Sequence, residues 1–436
     1  MINKKAATQY DSGLQLQEGF IFGADSKGCL AETPVTEVRT RLGDELVVAS
    51  HHGYGYKKTN EDRVAFVEVD GEFGLNIDLF VVDGMGGRER GDLAAQILSE
   101  ELILAAGPIG AEVEQETHSF VKDKVETLLW KLPTRDFVQR VLESWQREMS
   151  VDASFSDPLR LIRSARDVVS YESLQSAETA PDKLRRVAEV LHALAGLNPP
   201  DPTEVAMRRT RRRIAIQHPG PSAPDACFIG ALIRTQSDGR RFLDVRQVGD
   251  CGLLVAGADG KIRFRTFGES VLPEPNLKDP ALSLTDIMAY SLHRNLVRNS
   301  VNSPKSALKR YRRQDVPLNL ESGDIVVLYS DGVDDLFSPE ELVELALKGG
   351  GARSFVSELL LHSERRMKYV ADLLHLERAR LPDKQKMKAY PSVHERLNRA
   401  RMEHGSYLEI YDDGATGSWT KPPKCDNTSV CALYVG

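Results

Sequence analysis

Four apolar, strand-forming runs of this chain each meet a carboxylate at one end. LFVVDGMGGRERG, Leu79 to Gly91, stops its run at Asp83 and continues with three glycines around Met85. NEDRVAFVEV, Asn60 to Val69, begins with Glu61 and Asp62. IVVLYSDGVDD, Ile325 to Asp335, ends in carboxylates, and CDNTSVCALYV, Cys425 to Val435, begins with Asp426. A buried strand that delivers an acid to its tip, followed by residues free to take positive φ, lets backbone carbonyls approach whatever the acid holds. Alone, DGMGG reads as a tight turn after a core strand. Scattered surface acids do not usually sit at strand ends, and their recurrence there points to a metal site. Several aspartates and one glutamate, with no His or Cys pair nearby, suit Mg²⁺ or Mn²⁺ and argue against zinc.

The chain that must position these acids has 436 residues, 41% of them hydrophobic, enough for one large domain or two ordinary ones. A net charge of -7 gives no general attraction to nucleic acid or to anionic membranes. The five cysteines are odd in number and widely spaced, which suits reduced, partly buried thiols better than a disulfide framework. The first residues, MINKKAATQYDSG, lack the apolar core of a signal peptide, and no stretch approaches the roughly 20 apolar residues that span a bilayer. The expectation is a cytoplasmic protein without membrane or nucleic-acid partners.

Residues 1–44 are weakly patterned, with one apolar patch at Gly19 to Gly23, a leader strand or an ordered arm. LVVASHHG (Leu46 to Gly53) and RVAFVEV flank a Gly- and Lys-rich turn and read as a hairpin. Leu93, Ile97, Leu98 and Leu102 form a helical stripe that stops at Gly107. Residues 108–224 change to helical segments, including DFVQRVLESWQREM and DKLRRVAEVLHALAG, and read as an inserted helical lobe. ACFIGALIRT, RFLDVRQVGDCGLLVAG and KIRFRTF look like an antiparallel meander. Residues 268–320 are irregular and polar, with a helical patch and the basic cluster Lys305, Lys309, Arg310, Arg312 and Arg313. Ser338, Pro339 and Glu341 make a capping box that opens a helix running to Gly349. A charged amphipathic helix fills 353–402, and SYLEIYDDG and CDNTSVCALYV supply late strands.

Taken in order, NEDR at Asn60, DGMGG at Asp83, VGDCG at Val248, SDGVDD at Ser330 and DNTS at Asp426 resemble the type 2C, metal-dependent (PPM) protein serine/threonine phosphatases, the bacterial members most in style. The match covers residues 45–106 and 225–436. The resemblance implies an α+β fold, a four-layer α/β/β/α sandwich of two antiparallel sheets, with a catalytic domain of 45–107 and 225–436, a flap at 268–320 and the helical insertion at 108–224. It implies two Mn²⁺ or Mg²⁺ ions: Asp83 would bridge both, the Gly84 carbonyl and Glu61 would serve one, and Asp331 and Asp426 the other. Asp62 would hold bound water, and Asp250 and Asp335 match positions used for a looser third ion. Two such cations acidify the water between them and hold it in line with phosphorus, so phosphoserine or phosphothreonine would be hydrolysed by direct attack with no protein nucleophile.

Some positions depart from the family pattern. Lys57 stands where an arginine commonly grips the substrate phosphate, a point charge without the fork. No histidine stands in the place of the general acid of eukaryotic members, and SAPDA, Ser222 to Ala226, replaces a Gly and Thr turn. Cys251 and Cys425 each adjoin an acid and read as structural thiols. Of His51 and His52, alternation along a strand allows at most one to face the site. MRRTRRR, Met207 to Arg213, reads as a solvated face or an internal ion-pair partner. The function expected is a metal-dependent phosphoprotein phosphatase. The alternatives are a pseudophosphatase or scaffold that binds a protein partner through the insertion, and a metal-dependent phosphatase of a small metabolite.

Overall fold

The computed structural model describes residues 19–22, 35–51, 60–71, 74–85, 90–106, 201–220, 223–270, 283–293, 296–303, 308–311, 318–348, 350–382, 385, 388–404 and 426–436. The helical segments expected between 107 and 200, the strand expected at SYLEIYDDG, and Lys57, Lys58 and Cys425 lie outside them.

The described strands form two antiparallel sheets. The first has the order β1 (Gly19–Phe22), β4 (Arg63–Gly71), β5 (Gly74–Gly84), β6 (Ala226–Thr235), β7 (Arg241–Val248) and β10 (Lys309–Tyr311), with β11 (Leu318–Leu320) also on β7. The second runs β2 (Thr36–Arg39), β3 (Glu45–His51), β13 (Thr428–Tyr434), β12 (Ile325–Tyr329), β8 (Gly252–Ala256) and β9 (Ile262–Arg265). The patch at Gly19 is therefore a strand, paired with β4.

Alternation along these strands divides the apolar side chains into three layers. On β5, Ile77, Leu79 and Val81 face the second sheet, whereas Phe80 and Val82 face helix α1 (Gly91–Ala106) and helix α2 (Pro202–Gln217). On β12, Val326 and Leu328 enter the same central layer, while Ile325, Val327 and Tyr329 pack under helices α5 (Pro339–Leu347) and α6 (Gly351–Arg380). Three apolar layers separate four structural ones, so the molecule is the α/β/β/α sandwich expected. Both faces of each sheet are buried, which is why the strands read as near-continuous apolar runs.

Two expected pairings are corrected. LVVASH and RVAFVEV are not a hairpin: β3 pairs with β2 and β13, and β4 pairs with β1 and β5. The meander is also broken. β6 pairs with β7 and β8 with β9, but the chain changes sheets between Val248 and Gly252. Gly249, at φ +93, makes that turn, and a Cβ there would stand 2.2 Å from Cys227 Sγ. Local alternation is identical whether the next strand joins the same sheet or the facing one.

The helices follow their sequence signals closely. At α5 the Ser338 side chain accepts from Glu341 N, Glu341 accepts from Ser338 N, and Pro339 holds the first turn. The stripe expected over 353–402 is two helices, α6 and α7 (Ala389–His404), because Leu381 is extended before Pro382. Helix α3 (Leu284–His293) is the helical patch within the irregular segment and packs on α7. Helix α2, from the end of the segment read as an insertion, lies against α1 over the first sheet. Asp201 caps it through Thr203 N and receives Arg246 Nε from β7 at 2.7 Å, and Arg213 bridges Glu100 and Glu101 of α1. The basic run thus serves in part as an internal ion-pair partner.

Candidate active site

At one end of the sandwich the inward-facing column changes character in strand after strand. The face of β5 that carries Ile77, Leu79 and Val81 next carries Asp83. The face of β4 with Val64 and Phe66 is preceded by Asp62, and that of β6 with Ile229 and Cys227 by Asp225. In the second sheet Ser50 follows Leu46 and Val48, Ser330 follows Val326 and Leu328, and Asn427 and Ser429 precede Cys431 and Leu433. The antiparallel order brings the end of β5 beside the start of β6, and the end of β12 beside the start of β13.

Hydrogen bonds tie these strand ends across the gap between sheets. Gly84 N donates to the Glu61 carbonyl at 3.1 Å, and Glu61 N donates to Asn427 Oδ1 at 3.2 Å. Asn427 N in turn meets Asp426 Oδ1 at 2.8 Å. Ser330 N donates to the Ser429 carbonyl, and Ser429 N to Ser330 Oγ, both at 3.0 Å. Asn60 Nδ2 reaches Ser50 Oγ at 2.7 Å, and Ser50 shares a hydroxyl bond with Ser429. The Asp83/Gly84, Glu61, Asp426 and Ser330/Asp331 positions therefore belong to one bonded set.

Asp331 opens the single helical turn α4 (Asp331–Asp334), and Asp335 caps it, its amide on the Asp331 carbonyl at 2.7 Å. A Cβ on Gly332 would stand 1.7 Å from the Asn427 carbonyl oxygen, so only glycine lets this turn press on the start of β13. Asp62 is fully buried, and Asp83, Glu61, Asp250 and Asp331 are half-buried. His51 shares the face of β3 with Val47 and Ala49, toward the helices and away from the inter-sheet column.

Two buried thiols report the charge of this end. Burial pushes the Cys227 thiol well up, and Asp250, Asp83 and Asp225 push it further; Cys251 is raised by burial and then by Asp83, Asp250, Cys227 and Asp62. Both thiols stay protonated at neutral pH and are unreactive. Cys431 is likewise buried, and all three are free thiols, as expected.

Sequence reasoning left the role of Asp225 open. Buried completely, its carboxylate accepts from Ala226 N, Ser300 Oγ and Asn302 N at 2.9, 2.6 and 2.8 Å, and its carbonyl accepts from Met85 N. It pins residues 300–302 and the turn after Asp83 to the start of β6. The signal for it was an aspartate immediately before an apolar run, the same signal that marks Asp62.

The donor chemistry at this end fits a hard divalent cation: carboxylates and carbonyls, with protonated thiols and no inward-facing His among the described residues. Among the described residues no three His, Cys, Asp or Glu side chains stand in one group able to hold a metal ion. The acids share an end of the sheets without forming a closed cage. Lys57, the residue expected to contact phosphate, lies outside the described residues, as do residues 86–89 after Asp83. Of the basic cluster, Lys309 and Arg310 lie on β10, and Lys309 Nζ stands 4.0 Å from Glu269.

No family model matches the chain, and no curated protein matches it. Its backbone has likenesses among solved structures. The S. agalactiae serine/threonine phosphatase aligns at 13% identity over 90% of this chain and 100% of that one, with a TM-score of 0.40. The Mycobacterium tuberculosis serine/threonine phosphatase PstP/Ppp aligns at 12% identity over 89% and 97%, with a TM-score of 0.42. RsbX in complex with magnesium aligns at 9% identity over 92% and 100%, with a TM-score of 0.34.

Proposed function

We propose that this chain is a divalent-metal-dependent phosphoprotein phosphatase acting on phosphoserine and phosphothreonine. The observation that carries the reading is the bonded set of strand ends: four motifs distant in sequence, those of Glu61, Asp83, Asp331 and Asp426, meet at one end of two facing sheets. In this reading Asp83, the Gly84 carbonyl, Glu61, Asp331 and Asp426 hold two Mn²⁺ or Mg²⁺ ions, and Asp250 and Asp335 a third. When bound, such ions lower the pKa of water and neutralise phosphoryl oxygens. Asp62, fixed by its amide on Asn60 Oδ1 at 3.0 Å, orients water at the base of the site. Lys57 contributes a positive charge toward the substrate phosphate. The buried thiols take no part.

Turnover of a phosphothreonine peptide or an aryl phosphate is expected to require Mn²⁺ and to fall to background in Asp83→Asn and Asp331→Asn. Equal turnover in those variants removes the proposal. Residues 108–200 are proposed to select the phosphoprotein or a partner. Their deletion, sparing the α1–α2 pair, is expected to leave aryl phosphate hydrolysis intact and to weaken phosphoprotein turnover.

A second reading, a pseudophosphatase that serves as a scaffold, is motivated by Lys57 in place of the phosphate-gripping arginine and by the SAPDA turn, Ser222 to Ala226. Calorimetry separates the two: failure to bind Mn²⁺ at millimolar concentration selects the scaffold.

A further inference from the structure

We infer that Arg366 is a positioning residue for the turn that carries Asp331 and Asp335, coupling the long helix α6 to the cation site proposed above. The coupling to a cation rests on that proposal; the grip on the turn does not.

Arg366 lies on the buried stripe of α6 with Val356, Leu359, Ser363, Met367 and Val370, and its side chain is 3% exposed. Its guanidinium touches the segment after α4 in three places. Nη1 donates to the Leu336 carbonyl, Nη2 donates to Glu341 Oε1 at 2.8 Å, and the group lies 4.3 Å from the centre of the Phe337 ring. The other Glu341 oxygen takes Ser338 N at 2.7 Å, so the same carboxylate fixes the start of α5.

That segment connects to Asp331 through one turn of chain. The amides of Leu336 and Phe337 both donate to the Val333 carbonyl at 3.0 Å, and that of Asp335 to Asp331. On its other side the turn is pressed on β13 through Gly332. It is thus held between the second sheet and one arginine, and a displacement of the Leu336 carbonyl passes to Asp331 with little chain to absorb it.

Energetics explain why an arginine rather than an aliphatic residue matters here. Burying a guanidinium is costly, the Glu341 pair offsets that cost, and such pairs are often no more stabilising than apolar residues of the same volume. What the planar fork adds is direction: two donors at a fixed angle, one on a carbonyl and one on a carboxylate. A methionine at 366 fits the stripe and keeps its packing but releases the Leu336 carbonyl.

The test compares Arg366→Met and Arg366→Lys in the full chain by amide hydrogen exchange and by Mn²⁺ calorimetry. In Arg366→Met, exchange over 331–337 is expected to quicken about tenfold while 91–106 and 428–434 keep their rates. The Mn²⁺ dissociation constant is expected to rise about tenfold, with turnover at saturating Mn²⁺ changed by less than about twofold. Arg366→Lys, which keeps the charge and one donor, restores part of both effects and serves where the methionine variant fails to fold. Arg213→Met, at the α1–α2 pair, lowers the denaturation midpoint with no change in Mn²⁺ affinity.

Unchanged exchange at 331–337, or acceleration spread evenly over the molecule, overturns the inference, as does an unaltered Mn²⁺ affinity. If the wild-type chain takes up no Mn²⁺, the proposed activity falls and the exchange data alone decide whether Arg366 holds the turn.

Discussion

The two ends of the sandwich treat buried carboxylates differently. At the end away from the candidate site buried carboxylates meet arginines from other segments of the chain: Asp44 with Arg241, Asp324 with Arg263, Glu68 with Arg41, and further along the strands Asp78 with Arg234. At the candidate end the Asp225 and Asp426 carboxylates are anchored through main-chain amides and a hydroxyl, the Glu61 amide donates to Asn427, and Asp83 and Asp250 bear together on two thiols. Guanidinium groups cancel charge, whereas amides fix position and leave the charge in place. One end holds its acids in arginine pairs, and at the other the bonds to Asp225 and Asp426 come from amides and a hydroxyl.

The largest effect that probes this contrast is at Asp83. Asp83→Asn is expected to abolish turnover while keeping or raising the denaturation midpoint, since it relieves like-charge crowding. A marked loss of stability would mean that the carboxylate is balanced structurally, like those at the other end. Asp44→Asn should do the reverse. It leaves Arg241 without its buried partner and is expected to cost about 3 kcal/mol in denaturant unfolding, with turnover per folded molecule retained.

Gly249→Ala tests the crossing between sheets. A side chain there has both a left-handed backbone and a clash with Cys227 against it, so a loss of about 2 kcal/mol or more is expected. Because Asp250 is the next residue, the same variant should weaken Mn²⁺ binding.

The smallest effect is at His362, buried on α6 one turn before Arg366. Burial lowers its pKa, as do Arg366, Arg365 and Lys348, against an opposing pull from Glu358. A depressed pKa in the folded state means that this group's share of stability is full above the unfolded value near 6.5 and is lost as pH falls toward the folded one. Wild type is expected to lose stability from pH 7 to 5.5 more steeply than His362→Gln, read from urea midpoints; parallel curves would count against it.

The layered fold was legible because both sheets bury two faces and their central strands read as apolar runs ending in turn residues, whereas the short, polar β2, β10 and β11 carry no such signal. The α5 cap was legible residue by residue, since its signal is local. The change of sheet at Gly249 and the parting of β3 from β4 were not, because a two-residue alternation carries no information about which strand lies alongside. The arginine pairs of the far end join residues as distant as Asp78 and Arg234, and no spacing rule connects them. Arg366 left a trace, a charged residue on a stripe with Leu359, Met367 and Val370, but its target at Leu336 is a backbone atom that no side-chain pattern reveals.

The placement of β13 has a consequence for how the chain reaches this state. Ser50 and Ser429 are 379 positions apart, yet β13 lies between β3 and β12 in the middle of its sheet. During synthesis β3 waits with an unsatisfied edge while the residues between it and β13 emerge, and at the usual pace of some 5–20 residues per second that interval is tens of seconds. The first sheet, whose strands are complete by residue 320, can assemble beforehand and offer its apolar face as the surface on which the second one closes. Ribosome-bound chains halted before residue 428 should therefore protect β4–β7 from proteolysis and leave β3 open to cleavage.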